Sequence, residues 1–122
     1  MDDLKKILLV EDEAVAAINL KISLENAGFE IIEVVSTGAE AIVAMYKKPD
    51  LICLDISLIG EMNGITTAFK IREEHETPII FMTGYNYEDT IEDLKKIKNI
   101  RFINKPFNIN KLLKMIKSFN IK

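Results

Sequence analysis

Cysteine is almost absent from this 122-residue chain. A single thiol, Cys53, cannot close an internal disulfide, and it fits a reducing compartment. Long apolar runs are missing as well. None approaches the roughly eighteen uncharged residues that span a bilayer, so a membrane protein is excluded as the expectation. The opening Met1-Asp2-Asp3-Leu4-Lys5-Lys6 is acidic and lacks the shape of a secretory signal, which points to a cytoplasmic protein. There is no repeat, low-complexity tract or linker. No Gly-Lys-Ser/Thr follows Gly60 or Gly64, so the glycines make no P-loop. The one histidine, His75, has no second metal ligand at suitable spacing. Acids are absent from residues 94–122, which hold nine bases, while residues 1–93 hold all nineteen acids and seven bases. This asymmetry marks a possible partner surface. It does not make a nucleic-acid binder, because the net charge is −3 and no binding motif accompanies the basic end.

What is present is the composition of a single folded domain. Apolar residues make up 48% and charged residues 29%, enough for a core and too apolar for global disorder. Five short apolar runs recur: Ile7–Val10, Ile31–Val35, Leu51–Leu54, Ile79–Met82 and Ile100–Ile103. Their length and their Ile and Val content suit buried strands of a parallel sheet. Glu33 and Arg101 interrupt the second and fifth runs, which places those two at the edges. Helical patterns fill the gaps at residues 13–27, 38–47, 63–74, 87–97 and 108–119. Gly28 is a helix stop, Ser36 or Thr37 a helix cap, and Pro49 and Pro78 follow helix ends. Strand and helix alternating five times predict an open, doubly wound α/β sheet of one domain, with right-handed crossovers.

Function in such sheets gathers beyond the carboxyl ends of the strands. The first strand there delivers Glu11-Asp12-Glu13, the third Asp55, the fourth Thr83-Gly84 and the fifth Asn104-Lys105-Pro106. The helix dipole explains Glu13 at a helix start. It does not explain Asp55, which has no helix start until after Gly60. Crowded carboxylates stay ionised only beside a cation or a lysine. Magnesium suits hard oxygen ligands, and a carboxylate can act as a nucleophile toward phosphorus. Lys105 can neutralise an incoming phosphoryl group, and the Thr83 hydroxyl can donate to one of its oxygens. Asp50 reads as a solvated cap and Cys53 as a small core residue.

The ordered set Leu8-Leu9-Val10-Glu11-Asp12-Glu13, Pro49–Ile56, Gly60–Gly64, Thr77–Gly84 and Asn104-Lys105-Pro106-Phe107 resembles the receiver domains of two-component response regulators, over essentially the whole chain, 1–122. The resemblance implies a flavodoxin-like five-stranded sheet of order 2-1-3-4-5 with five helices. It implies Asp55 as phosphoacceptor and Mg²⁺ held by Glu11, Asp12, Asp55 and the Ser57 backbone carbonyl. Thr83 and Lys105 match the switch hydroxyl and the phosphoryl-binding lysine, and Phe102 the rotating aromatic. The Lys105-Pro106 bond is similar to one that is cis in the family. The implied partners are a sensor histidine kinase or histidine phosphotransfer protein, a downstream output partner or attached effector domain, and a phosphorylation-dependent homodimer; neither direct nucleic-acid nor membrane binding is implied. The implied activity is self-phosphorylation and slow autodephosphorylation rather than conventional enzyme turnover. The surface implied to switch comprises the fourth helical segment, the fifth strand and the fifth helical segment. Its lysines and Arg101 are expected to help form an output or dimer face.

Three departures from the pattern stand out: Ile59 where proline is common, Asn63 where aspartate is common, and Lys98-Asn99-Ile100-Arg101 without the usual Gly-Ala pair. Phe102 also replaces a frequent tyrosine. In the first helical segment, Ala16, Leu20, Leu24 and Ala27 make one apolar stripe, and Val15, Ile18 and Ile22 a second. The second stripe is either a wide core face or an exposed dock for a histidine-bearing donor. A stand-alone regulator and a piece of a longer protein both fit the sequence. The rival functions are a pseudo-receiver that only binds, and a flavodoxin-like electron carrier. The second rival needs a phosphate-cradling loop where Glu11-Asp12-Glu13 would repel phosphate.

Overall fold

A computed structural model describes residues 5–58, 62–84, 92 and 94–119. The apolar runs become β1 (Lys6–Val10), β2 (Glu30–Val35), β3 (Leu51–Asp55), β4 (Ile79–Thr83) and β5 (Ile100–Asn104). All pair in parallel, in the order β2-β1-β3-β4-β5. β1, β3 and β4 are central and almost wholly buried, whereas the interrupted runs β2 and β5 are the edges. An edge strand tolerates Glu33 and Arg101 because one of its sides meets water.

Between the strands lie α1 (Ala14–Asn26), α2 (Gly38–Ala44) running into a 3₁₀ turn at Met45–Lys47, α3 (Gly64–Arg72) and, after β5, α4 (Ile109–Lys117). Four α-helices are thus described where the sequence suggests five. The expected segment 87–97 falls largely outside the described residues; Glu92 and Leu94 within it are helical. Three helix starts and one stop have a clear local cause. Thr37 accepts from the Glu40 N–H at 3.1 Å while Glu40 accepts from the Ser36 N–H at 3.2 Å, a reciprocal cap. Asn63 accepts from the Thr66 N–H at 2.9 Å and Asn108 from the Lys111 N–H at 2.8 Å. Asn63 therefore performs the capping role open to an aspartate. Gly28 ends α1 at φ 100°, a conformation that costs glycine little.

Alternate strand residues feed two apolar layers. Leu8, Val10, Ile52, Leu54, Ile79 and Phe81 meet Ala41, Ala44, Ala68 and Ile71 of α2 and α3. Ile7, Leu9, Leu51, Cys53, Ile80 and Met82 meet Leu24 of α1 and Leu112 and Ile116 of α4. Each Val, Leu, Ile, Phe or Met among them contributes about 1.5–3 kcal/mol when removed from water.

α1 departs from its expected stripe in one respect. Leu24 is buried and Leu20 packs against the core, but Ala27 is an exposed C-cap and Ala17 is buried instead. The second stripe is exposed: Val15 at 65%, Ile18 at 56% and Ile22 at 49%. Among the described helices none is long and apolar enough to cross a membrane.

The loop lacking Gly-Ala is solved by asparagine. Asn99 takes the left-handed conformation at φ 60°, its amide donates to the Glu76 carbonyl at 3.0 Å, and its own carbonyl accepts from the Ile79 N–H at 3.0 Å. Asparagine tolerates that conformation better than most residues. Ile59 lies outside the described residues.

Candidate functional site

The strand order reverses between β1 and β3, and a crevice opens there at the carboxyl ends. Glu11 and Asp12 follow β1, and Asp55 is the last residue of β3. Glu11 and Asp55 are buried to 4% and 3% exposure, unusual for carboxylates and tolerable only with partners. The Glu11 N–H donates to the Val35 carbonyl at 3.0 Å, which fixes this residue beside the sheet rather than in solvent. The Asp55 carboxylate has partners on both oxygens. Oδ1 accepts from the Ser57 N–H at 2.9 Å and from the Ser57 hydroxyl at 3.1 Å, and Oδ2 accepts from Lys105 Nζ at 3.2 Å. Lys105 Nζ also donates to Glu11 Oε1 at 3.0 Å. One ammonium thus bridges two carboxylates that lie 94 and 50 residues away in sequence.

The backbone holds this geometry tightly. The Lys105 N–H donates to the Thr83 carbonyl at 2.7 Å, tying the lysine to the end of β4, and the Lys105-Pro106 bond is cis. The Ile56 N–H donates to the Met82 carbonyl at 3.1 Å. The Gly64 N–H donates to the Ile56 carbonyl at 3.0 Å, drawing the start of α3 against the β3 end. A Cβ at Gly64 would press into the Asp55 carbonyl and lie 2.7 Å from Ile56 Cα, so only glycine fits this approach.

Two carboxylates share one lysine, and their protons reflect it. Burial foremost, then the hydrogen bond to Asp55, pushes Glu11 up to about 7 despite Lys105. Burial also opposes ionisation of Asp55, but the bonds from Glu11 and Ser57 and the field of Lys105 hold it below its ordinary value. Lys105 loses hydration by burial, yet its bond to Glu11 and the charge of Asp55 hold its pKa above the ordinary value. The site is therefore short of positive charge. Oxygens of Glu11, Asp12 and Asp55 lie within 4.8 Å of one another, a donor set that can hold a hard divalent cation.

Of the residues singled out in the sequence, Glu11, Asp12, Asp55, Ser57 and Lys105 come together here. Thr83 is buried at the end of β4, one residue past the Met82 that pairs with Asp55. Phe102 lies on β5, three residues before Lys105. It is half-buried, and its ring stacks on Phe81 with centroids 5.5 Å apart. Beside Glu11 and Lys105 lies a cleft of about 680 Å³, walled by Ala16 and Leu20 of α1 and by Pro106, Phe107 and Ile109. This cleft was not foreseen. Its signal was the apolar pair Pro106-Phe107 directly after a charged strand end.

A parallel sheet that presents carboxylates at its switch point, where a nucleotide-binding fold would present a glycine-rich loop, belongs to the α/β domains built around an acidic centre. The model of the response regulator receiver domain matches residues 7–117, and the chain belongs to that family. It is 30% identical over 113 residues to the transcriptional regulatory protein PdtaR of Mycobacterium tuberculosis, covering 92% of this chain and 55% of that one. It is 34% identical over 117 residues to the phosphate regulon transcriptional regulatory protein PhoB of Pseudomonas aeruginosa, covering 93% and 51%. The chain thus spans about half the length of these relatives. Among solved structures, the signal receiver domain of a modulated diguanylate cyclase from Desulfovibrio desulfuricans superposes with a TM-score of 0.88, at 32% identity over 95% of this chain and 93% of that one. A two-component response regulator from Clostridium difficile gives 0.86, at 30% identity over 94% of each chain.

Proposed function

We propose that residues 1–122 work as one cytoplasmic receiver domain in a phosphorelay, taking a phosphoryl group from a phosphohistidine onto Asp55. The observation that carries this reading is the geometry of Asp55: a buried strand-end carboxylate with Ser57 on one oxygen and Lys105 on the other. One oxygen of Asp55 attacks phosphorus as the phosphorus–nitrogen bond of the donor breaks. The imidazole nitrogen keeps the bonding pair and takes up a proton, and an acyl phosphate forms on Asp55.

Glu11, Asp12, Asp55 and the Ser57 carbonyl are the groups that would hold Mg²⁺, which would supply positive charge to offset that of the transferred group. The close spacing of the carboxylates and the raised Glu11 fit such an ion. Lys105 exchanges part of its bond to Asp55 for one to the phosphoryl group, and the Thr83 hydroxyl donates to another oxygen. Thr83 and Phe102 then shift, and the surface of β5 and its flanking helices is rebiased toward an output partner or effector domain. Phosphorylation shifts this equilibrium only by its different contacts in the two states. The exposed Val15, Ile18 and Ile22 dock the histidine-bearing kinase or phosphotransfer protein beside the crevice.

Incubation with acetyl phosphate and Mg²⁺, read by intact mass, tests the reading. The wild type gains one phosphoryl group, and Asp55→Asn gains none. No label on the wild type would leave a pseudo-receiver that acts only as a binding module.

A further inference from the structure

Arg72, the last residue of α3, keeps donors in hand after it has tied down its loops. Its Nη1 donates to the His75 carbonyl at 2.8 Å and to the Thr77 carbonyl at 2.9 Å, which uses both hydrogens of that nitrogen. Its Nη2 makes one long bond, 3.4 Å, to the Asn99 carbonyl. Among the described residues, Arg72 Nε is the one buried side-chain polar atom without a hydrogen-bond partner. A buried donor left bare is costly, and a missing acceptor is the ordinary explanation. Nε and Nη2 form one edge of the planar guanidinium, and that edge grips a carboxylate through two parallel bonds. Burial holds the Arg72 pKa below its ordinary value despite the charge of Glu76, so an anion at this edge relieves a cost that the fold now bears.

Arg72 lines a pocket of about 360 Å³ between the end of α3 and the segment that enters β5. This is the opposite end of the strands from Glu11 and Asp55. Phe69 forms one wall, three residues before Arg72 on α3, and its ring is 45% exposed. Buried Ile97 adds a second apolar wall. Exposed Lys96 and Lys98 contribute positive charge, and exposed Glu73 and Glu76 negative charge. The two glutamates disfavour a doubly charged phosphate more than a singly charged carboxylate. The volume is at the small end of ligand pockets, the size for a compact ring system. We propose that this pocket binds a small aromatic carboxylate, its ring against Phe69 and Ile97 and its carboxylate on the Nε–Nη2 edge of Arg72. The ligand replaces the long bond to Asn99 and satisfies the bare Nε. The site stands apart from the phosphoryl chemistry and does not rest on it.

The test uses unphosphorylated protein, so its outcome is separate from Asp55 labelling. The probe is 2-naphthoate, titrated into nitrogen-15-labelled protein and followed by amide chemical shifts. Run beside it are the neutral 2-naphthalenemethanol, acetate, and adenosine monophosphate. The naphthoate is expected to bind with a Kd of about 1 mM, with shifts gathered at residues 69–76 and 96–99. The alcohol and acetate, each lacking one half of the recognition, bind at least about fivefold more weakly. Arg72→Lys keeps the charge and removes the paired edge, at a cost of about tenfold. Phe69→Ala, at an exposed position that does not threaten folding, costs about fivefold. Tyr46→Ala, which removes an aromatic ring 72% exposed on the far side of α2, stays within about twofold. Thermal melts confirm folding, and Phe69→Ala alone decides if Arg72→Lys does not fold. Any one of four results overturns the proposal: no saturable binding of the naphthoate; equal binding of the alcohol, or tighter binding of the nucleotide; shifts gathered instead around Leu20, Phe107 and Ile109 in the larger cleft; or no effect of Phe69→Ala.

Discussion

The two ends of the sheet use the same kinds of side chain for opposite purposes. At the amino-terminal end, charged and amide groups are spent on the backbone. Arg72 donates to the His75 carbonyl at 2.8 Å, to the Thr77 carbonyl at 2.9 Å and to the Asn99 carbonyl at 3.4 Å. Asp50 accepts from the Lys6 N–H at 2.8 Å, and Asn99 donates to Glu76. At the carboxyl-terminal end, Glu11, Asp55 and Lys105 face one another instead. Groups bonded to carbonyls and amides hold loops in place. Carboxylates that share a single ammonium are under-neutralised, and that deficit suits the site to a cation. Structure and chemistry are thus separated by the length of the strands.

Several substitutions would break this division. The largest effect is expected from Lys105→Met, which removes the one ammonium from two buried carboxylates. Labelling by acetyl phosphate should slow by about a hundredfold or more, measured as the rate of mass gain, while the fold survives best in the presence of Mg²⁺. Arg72→Met should do the reverse. Losing its carbonyl bonds should cost about 2–3 kcal/mol in urea unfolding, with the rate of labelling on Asp55 unchanged in the folded protein. Equal loss of labelling in both variants would erase the distinction between the two ends.

Gly64→Ala tests how closely the turn supports the site. The added carbon must displace the Asp55 carbonyl, so about 1–3 kcal/mol of stability and part of the labelling rate should go together.

A smaller effect follows from protonation. In the metal-free site Glu11 titrates near 7 and must lose its proton to serve as a ligand. Mg²⁺ affinity should therefore be flat above that pH and fall below it, by up to about tenfold per unit. Calorimetric titrations at several pH values check it, and affinity rising with acidity would contradict the assignment of Glu11. The smallest response belongs to Cys53. Burial pushes its thiol up to about 12, so it should resist alkylating reagents in the native protein at neutral pH and react only on unfolding.

Much of the fold was legible because its signals are local. The apolar runs, the cap at Ser36 or Thr37 and the stop at Gly28 each act within a few residues. The interrupting Glu33 and Arg101 marked the edge strands, but the full order 2-1-3-4-5 came from the family resemblance. The candidate site was legible for a related reason: a parallel sheet sends every strand's carboxyl end to one side, so its residues could be gathered from the ends of four runs. Arg72 was not legible, because its role depends on carbonyls supplied by two loops. The exposure of Val15, Ile18 and Ile22 was open until packing put Ala17 and Leu24 inward. Asn99 looked like a departure until its left-handed backbone showed it standing in for a smaller residue.

Among the described residues, the sequence by itself determined which segments are strands and which are helices, and which side chains stand at the strand ends, since periodicity and turn chemistry are short-range. Only the tertiary structure decided that one lysine reaches two carboxylates, that Glu11 holds its proton to near neutrality, and which face of α1 meets water. Those outcomes depend on distances and burial between residues far apart in the chain, and those quantities exist only once the sheet has closed.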